Sequence, residues 1–272
     1  VSVQRKLSKF YPEGESPVIR PPKITDWLAT GTFWVSFILV MLFFDLLQRV
    51  TYPLGKQFHQ WVMHGLNLSV LKILRLIGTR FYYRPMPEIP EDRPLIVVSN
   101  HQAIFDIPIL FCAFHSHHPR FIAKKELSRW IPSASFHLRH GGNAVIDRGD
   151  PEQALPEIRA LGDRIQQSKH AALIFPEGTR AKDGRLKRFK TKGIETLLEA
   201  APDALLVPVT IDGTWRHAAH NFFPIPAGLD VDVVVGSPVQ VSQETSIPEL
   251  VDTLEQEIAN TLIRLRATSK AA

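Results

Sequence analysis

Residues 27–44, WLATGTFWVSFILVMLFF, carry no charge and are apolar at 14 of 18 positions. At 1.5 Å rise per residue, such a helix sits at the lower limit of the roughly 20 residues that cross a bilayer. Trp27, Phe33, Trp34, Phe37, Phe43 and Phe44 lie on all sides of it, which favours a lipid environment over a buried soluble helix. The run starts too late, and lacks the small-residue cleavage pattern, for a secretory signal. Arg20 and Lys23 precede it and Arg49 and Lys56 follow, so flanking charge does not orient a span. A second segment, roughly 58–79, is amphipathic, with Trp61, Val62, Leu66, Leu68, Leu71, Leu74 and Ile77 apolar and Lys72 and Arg75 able to reach headgroups. Joined by TYPLG, the two segments predict a membrane-embedded hairpin, or a span plus a surface helix. Residues 1–26, with prolines at 12, 17, 21 and 22, are expected to form an irregular polar arm.

A proline cluster at 85, 87, 90 and 94 marks a linker, and the pattern beyond it alternates as in α/β proteins. LIVVS (95–99), RFIAK (120–124), NAVID (143–147), ALIF (172–175), LLVPVTI (205–211) and LDVDVVVG (229–236) have the character of strands. Short apolar or amphipathic helices are predicted at 107–114, 151–168 and 193–201. A last helix opens at Ser246, three residues before Glu249, and runs to about 266. The expected fold class is α/β: a mixed, mostly parallel sheet flanked by helices, preceded by a membrane-associated helical hairpin. The domain reading is a polar arm at 1–26, anchoring helices at 27–84 and an α/β domain at 85–272.

Charge narrows the partner. The chain carries a net +5, and seven of its basic residues fall between 180 and 192 against one acid, Asp183, so the remainder is close to neutral. A local basic stretch points to an anionic partner. Only Phe189 interrupts it, too few aromatics for nucleic-acid stacking. The single cysteine, Cys112, excludes an intrachain disulfide and a cysteine-based zinc site, and its apolar neighbours predict a buried, inert thiol. His115, His117, His118, His217 and His220 lack cysteines or clustered carboxylates at ligand spacing, so no metal is expected.

Two constellations carry chemistry. Asn100-His101-Gln-Ala-Ile-Phe-Asp106 follows a buried strand, where α/β proteins place ligands at the carboxyl edge. A turn can return the Asp106 carboxylate to the His101 ring, fixing its tautomer and leaving the other nitrogen as general base. Spacing alone equally allows Asp106 to be a helix cap and His101 incidental. No protein nucleophile is evident, which suits deprotonation of a substrate hydroxyl. Phe175-Pro176-Glu177-Gly178-Thr179-Arg180 follows another strand. Arg180 offers a donor fork for phosphate, while Glu177 either orients that arginine or accepts main-chain hydrogen bonds.

NHQAIFD, FIAKKEL, AVIDR, FPEGTR and LLVPVTI, in that order, resemble the glycerolipid acyltransferase family that includes 1-acylglycerol-3-phosphate acyltransferases, over about residues 93–235. The resemblance implies His101 as catalytic base and Asp106 as its orienting partner. It further implies acceptor binding by Glu177, Gly178, Thr179 and Arg180, with Lys124 (or Lys125) as a second phosphate contact. Arg148 in the AVIDR block would shape the acceptor pocket, and Pro208 would border the acyl chain. The implied reaction moves a fatty acyl group from acyl-CoA or acyl-acyl-carrier-protein to the sn-2 hydroxyl of lysophosphatidic acid. Another lysophospholipid, an ornithine lipid or glycerol-3-phosphate is the alternative acceptor, and a non-catalytic phospholipid-binding scaffold is the alternative class. The implied partners are a membrane surface, a lysophospholipid and an acyl thioester. No further cofactor is expected, and the implied location is a membrane with the catalytic domain on its cytoplasmic side.

Overall fold

A computed structural model describes residues 19–242 and 244–271; most of the arm expected at 1–26 lies outside them. The sheet is built on strict alternation. In strand β2 (Leu95–Ser99), Leu95 and Val97 enter one hydrophobic cluster while Ile96 and Val98 enter another on the opposite face. Strands β3 (Arg120–Lys124), β4 (Ala144–Ile146), β5 (Ala171–Ile174), β6 (Leu205–Asp212) and β7 (Asp230–Val235) join it. Two further strands, β1 (Arg80–Tyr83) and β8 (Val239–Gln240), complete eight. The order is β1-β7-β6-β2-β5-β3-β4, with β8 also on β6. Pairing is parallel except where β6 meets β7 and β8, so the sheet is mixed and mostly parallel.

Asp230 and Asp232 of β7 alternate outward and pair with Arg80 and Arg84 across β1. That pairing places residues 80–83, expected at the tail of the anchor, inside the sheet. Local sequence carried no sign of it, because β1 is mostly exposed and acquires its role from a partner 150 residues away.

Helices cover both faces. Helices α5 (Pro151–Ser168), α6 (Thr191–Ala200) and α7 (Ile247–Ala271) pack on the face of Ile96 and Val98. The other face carries α1 (Ile24–Thr51), α2 (Lys56–Leu76) and α3 (Asp106–Ala113). A further short helix, α4 (Ala134–His140), sits beside them. The apolar hairpin is thus also a structural layer of the α/β unit. On α1, Asp26, Ala29, Thr30, Phe33, Met41, Phe44 and Gln48 form one buried stripe. Leu28, Val35, Ile38, Leu39, Leu42, Phe43, Leu46 and Val50 are exposed.

Polar contacts pin α1 at both ends. Asp26 accepts from Ala227 N (2.9 Å) and pairs with Arg20, and Thr30 Oγ1 accepts from Ile225 N (2.7 Å). Asp45 accepts from Ser133 N (2.7 Å), and Gln48 also bonds to Ser133. Between these pins, the Phe33 ring meets Phe105 edge-on with centroids 5.5 Å apart. Truncating Phe33, which is almost wholly buried, removes contacts between α1 and the turn that holds Phe105. Phe33→Ala is expected to destabilise the protein by about 3–5 kcal/mol, measured by chemical unfolding in detergent.

Candidate active site

Parallel strands ending side by side gather the loops that follow them. Along this edge, residues 213–218 follow β6, His101 follows β2, Glu177 and Arg180 follow β5, Lys124 closes β3 and Arg148 follows β4. A side chain fixes the alignment of the first two loops. Asn100 Nδ2 donates to Ile211 O and its Oδ1 accepts from Ile211 N, both at 2.8 Å, continuing the ladder where β2 ends.

The turn after Asn100 wraps around one carboxylate. Asp106 Oδ2 accepts from His101 Nδ1 (2.8 Å), Gln102 N (2.6 Å) and Ala103 N (2.8 Å). Its other oxygen accepts from Thr214 Oγ1 (2.5 Å). Both sequence readings of Asp106 are therefore realised in part. It satisfies main-chain donors, but those of the preceding turn and not of α3, and it holds the histidine ring. A carboxylate facing Nδ1 makes that nitrogen the donor, so the Nε2 lone pair is left to act as a base. The Phe175 ring stacks on His101, with centroids 4.0 Å apart and planes 16° from parallel, fixing the plane of the imidazole.

Glu177 is buried and uses both oxygens on main chain: Oε1 accepts from His101 N (2.7 Å) and Oε2 from Lys187 N (3.0 Å). Of the two roles left open for it, the structure selects main-chain support over orientation of Arg180. Ala181 N donates to His101 O (2.7 Å), so the His101 turn and the FPEGTR loop are joined from both sides. Gly178 has φ +72°, and a Cβ there would crowd Lys190 Nζ at 3.2 Å. Lys187 Nζ donates to Thr179 Oγ1 (2.9 Å) and Arg180 O (2.8 Å).

Arg180 is half-buried and has no carboxylate partner among the described residues. Burial holds its guanidinium below the ordinary range, partly offset by the Asp106 charge. Partial burial and the Arg180 charge likewise depress Arg148. An arginine whose charge is disfavoured by a neighbouring arginine suits a site that takes an anion. Lys124 pairs with Glu126 (2.9 Å), an exposed contact worth little that would yield to a stronger anion. The basic stretch is otherwise partly committed: Arg188 pairs with Asp252 and Lys192 with Glu195.

Pro208 lies apart from this edge, within β6 on the α7 face. It lines a cavity of about 370 Å³ with Thr210, Glu257, Thr261 and Arg264. Cys112 is half-buried and its thiol is pushed up to about 12 by burial, in keeping with an inert sulfur. Among the described residues no cluster of three or more His, Cys, Asp or Glu side chains could hold a metal ion.

Sequence reasoning passed over Thr214, Gln102, Asp212 and Arg266, which support the histidine turn from behind. The one local signal was glycine. Gly213 has φ +105°, and a Cβ there would meet Asp230 O at 2.2 Å, so the Asp-Gly-Thr turn after β6 requires glycine.

The acyltransferase family model matches residues 80–212. Human 1-acyl-sn-glycerol-3-phosphate acyltransferase beta is 27% identical over 70% of this chain and 68% of its own length. The 1-acyl-sn-glycerol-3-phosphate acyltransferase of Pseudomonas aeruginosa is 26% identical over 69% and 71%. For the chloroplastic enzyme BAT2 of Brassica napus, 32% identity extends over 56% of this chain but only 42% of the relative. The crystal structure of the 1-acyl-sn-glycerophosphate acyltransferase PlsC from Thermotoga maritima superposes with a TM-score of 0.71. It covers 90% of this chain and 97% of the other at 23% identity, a likeness of fold.

The Glu177 carboxyl is pushed up to about 8 by burial, which outweighs the two N–H bonds that favour the carboxylate. The folded chain then holds a proton that the unfolded chain releases near pH 4.5, so stability falls as pH rises from about 4.5 through 8. Glu177→Gln removes this dependence and loses one N–H bond at every pH. The wild type's stability advantage over the variant should shrink between pH 5 and pH 9 in urea unfolding. A constant difference would show that Glu177 does not take up the proton.

Proposed function

We propose, from the match of residues 80–212 to the acyltransferase family model, that this chain acylates the sn-2 hydroxyl of lysophosphatidic acid, giving phosphatidic acid. The observation that carries the reading is the His101–Asp106 pair beside Arg180 and Arg148, which form no ion pair with a carboxylate among the described residues. His101 Nε2 takes the proton of the acceptor hydroxyl as its oxygen attacks the thioester carbonyl. Asp106 stabilises the resulting imidazolium without accepting its proton. Collapse of the tetrahedral intermediate breaks the C–S bond, and the proton on Nε2 passes to the departing thiolate. The thioester supplies its own leaving group, so this chemistry calls for no further cofactor. Arg180 and Arg148 receive the acceptor phosphate, Arg180 through a planar fork suited to it.

The donor is either acyl-CoA or acyl-acyl-carrier-protein, and the catalytic edge would face the cytoplasmic side of the membrane. The stripe of exposed apolar residues on α1 fits a lipid environment. Because the opposite stripe is buried against the rest of the domain from Asp26 to Gln48, the helix fits a position along the membrane surface better than a crossing. A lipid acceptor would then reach His101 without leaving the bilayer.

The test is thiol release and product formation by purified protein in phospholipid vesicles, offered lysophosphatidic acid, other lysophospholipids, a lyso-ornithine lipid or glycerol-3-phosphate. Lysophosphatidic acid is expected to be the best acceptor; transfer only to another would overturn that assignment. His101→Ala should lower kcat by about 10³-fold or more while vesicle binding persists. Full activity in that variant would place the base elsewhere. Arg180→Ala should raise KM for phosphate-bearing acceptors about 10- to 100-fold, the effect of a hydrogen bond to a charged group.

A further inference from the structure

Behind the catalytic pair lies a chain of buried polar side chains that the reaction as described leaves without a task. Thr214 has one hydroxyl proton. Its oxygen is 2.5 Å from Asp106 Oδ1 and 3.4 Å from Gln102 Oε1, so the proton goes to the nearer, charged acceptor. Gln102, the residue after the base, accepts from Gly213 N (3.0 Å) and donates through Nε2 to Asp212 Oδ1 (3.1 Å). Asp212 is gripped by Arg266 of α7, with Nε on Oδ2 (2.9 Å) and Nη2 on Oδ1 (2.6 Å). Arg266 Nη2 also donates to Gly184 O (2.8 Å), in the basic loop that begins at Arg180. Gln102, Asp106, Asp212, Thr214 and Arg266 are all buried.

A buried ion pair is weak evidence for stability, because desolvation cancels much of its attraction. The two ends of this chain suggest a different use. One end is the carboxylate that orients the base, and the other is the loop that carries the phosphate-binding arginine. We infer that Thr214 and Arg266 are positioning residues for acyl transfer: Thr214 fixes the Asp106 carboxylate against His101 Nδ1, and Arg266 locks the base turn to the phosphate loop. The inference rests on His101 being the base.

Mechanically, Thr214 occupies the carboxylate oxygen that His101 does not use, so Asp106 cannot rotate. Electrostatically, its hydroxyl withdraws charge from Asp106. Removing it leaves more of the carboxylate's charge facing the imidazolium, which is then stabilised more strongly. The other titratable or charged groups facing the pair are Glu177 and Arg180 from the loop after β5 and His217 from the turn after β6. Of these only His217 bonds to Thr214, through the main-chain Thr214 O (3.1 Å), which Thr214→Val and Thr214→Ser both retain.

The experiment compares Thr214→Val, which keeps the shape, and Thr214→Ser, which keeps the hydroxyl, across a pH series in the vesicle assay. Thr214→Val should lose about 10- to 100-fold in kcat, with KM for lysophosphatidic acid within about twofold of wild type. The acidic limb of its kcat/KM profile should move to higher pH, and Thr214→Ser should restore both. Arg266→Lys keeps the charge but loses the paired Nε and Nη2 contacts on the two Asp212 oxygens, so it should lower kcat and raise KM for the phosphate acceptor. A folded Thr214→Val enzyme with an unmoved limb overturns the inference, whether its kcat falls or not. Should Arg266→Lys fail to fold, the Thr214 pair decides alone. Loss of transfer in His101→Ala with an unmoved limb in Thr214→Val refutes this inference only. Transfer surviving in His101→Ala refutes the reading on which it rests.

Discussion

One carboxylate organises the turn at residues 101–106. Asp106 receives four donors: a ring nitrogen, two backbone amides of the turn that leads to it, and a hydroxyl from the neighbouring strand's loop. A buried anion without such partners would be costly, so the turn can close only in a conformation that supplies them. The same closure sets the imidazole in place. Folding of residues 101–106 and orientation of the His101 ring are therefore a single event, which explains why the turn needs so little sequence of its own.

The surrounding scaffold extends this logic along the sheet edge. Asn100 substitutes a side-chain amide for the next rung of the ladder, Glu177 spans two loops by main-chain hydrogen bonds, and Phe175 backs the ring. Helix α1 presses Phe33 onto Phe105, inside the same turn, while its own ends are tied to residues 133 and 225–227. The apolar outer stripe and the catalytic turn are thus opposite sides of one layer.

Much of this was legible along the chain because it is local. Strands 95–99 and 120–124 and the helix at 151–168 declared themselves by apolar runs or by 3.6-residue spacing, and the structure has them at those bounds. His101, Asp106 and Glu177 were readable from residue type and position after a strand. Strand β1 was not, since RFYY acquires its partner only across the sheet. Helix α4 was missed because ASFHLRH has no apolar period, and its start depends on Ser133 at φ +63° gripped by Asp45 and Gln48. Thr214 and Arg266 are more than 100 residues beyond the turn they support, and nothing in their neighbours advertises the connection. Local chemistry is written in the sequence, whereas what braces it is written in the topology.

The lamination of the hairpin onto the sheet bears on how the protein can be handled. Deleting residues 24–76 to obtain a detergent-free fragment would strip the sheet of most of one covering layer and expose Leu95, Val97 and Val207, all buried beneath it. Such a fragment would exchange a lipid-facing surface for a larger aggregating one. Solubility is better sought at the outward stripe, where Leu28, Ile38, Leu39, Leu42 and Leu46 contribute to neither core. Polar replacements there would leave the inner seam intact and separate water-compatibility from fold.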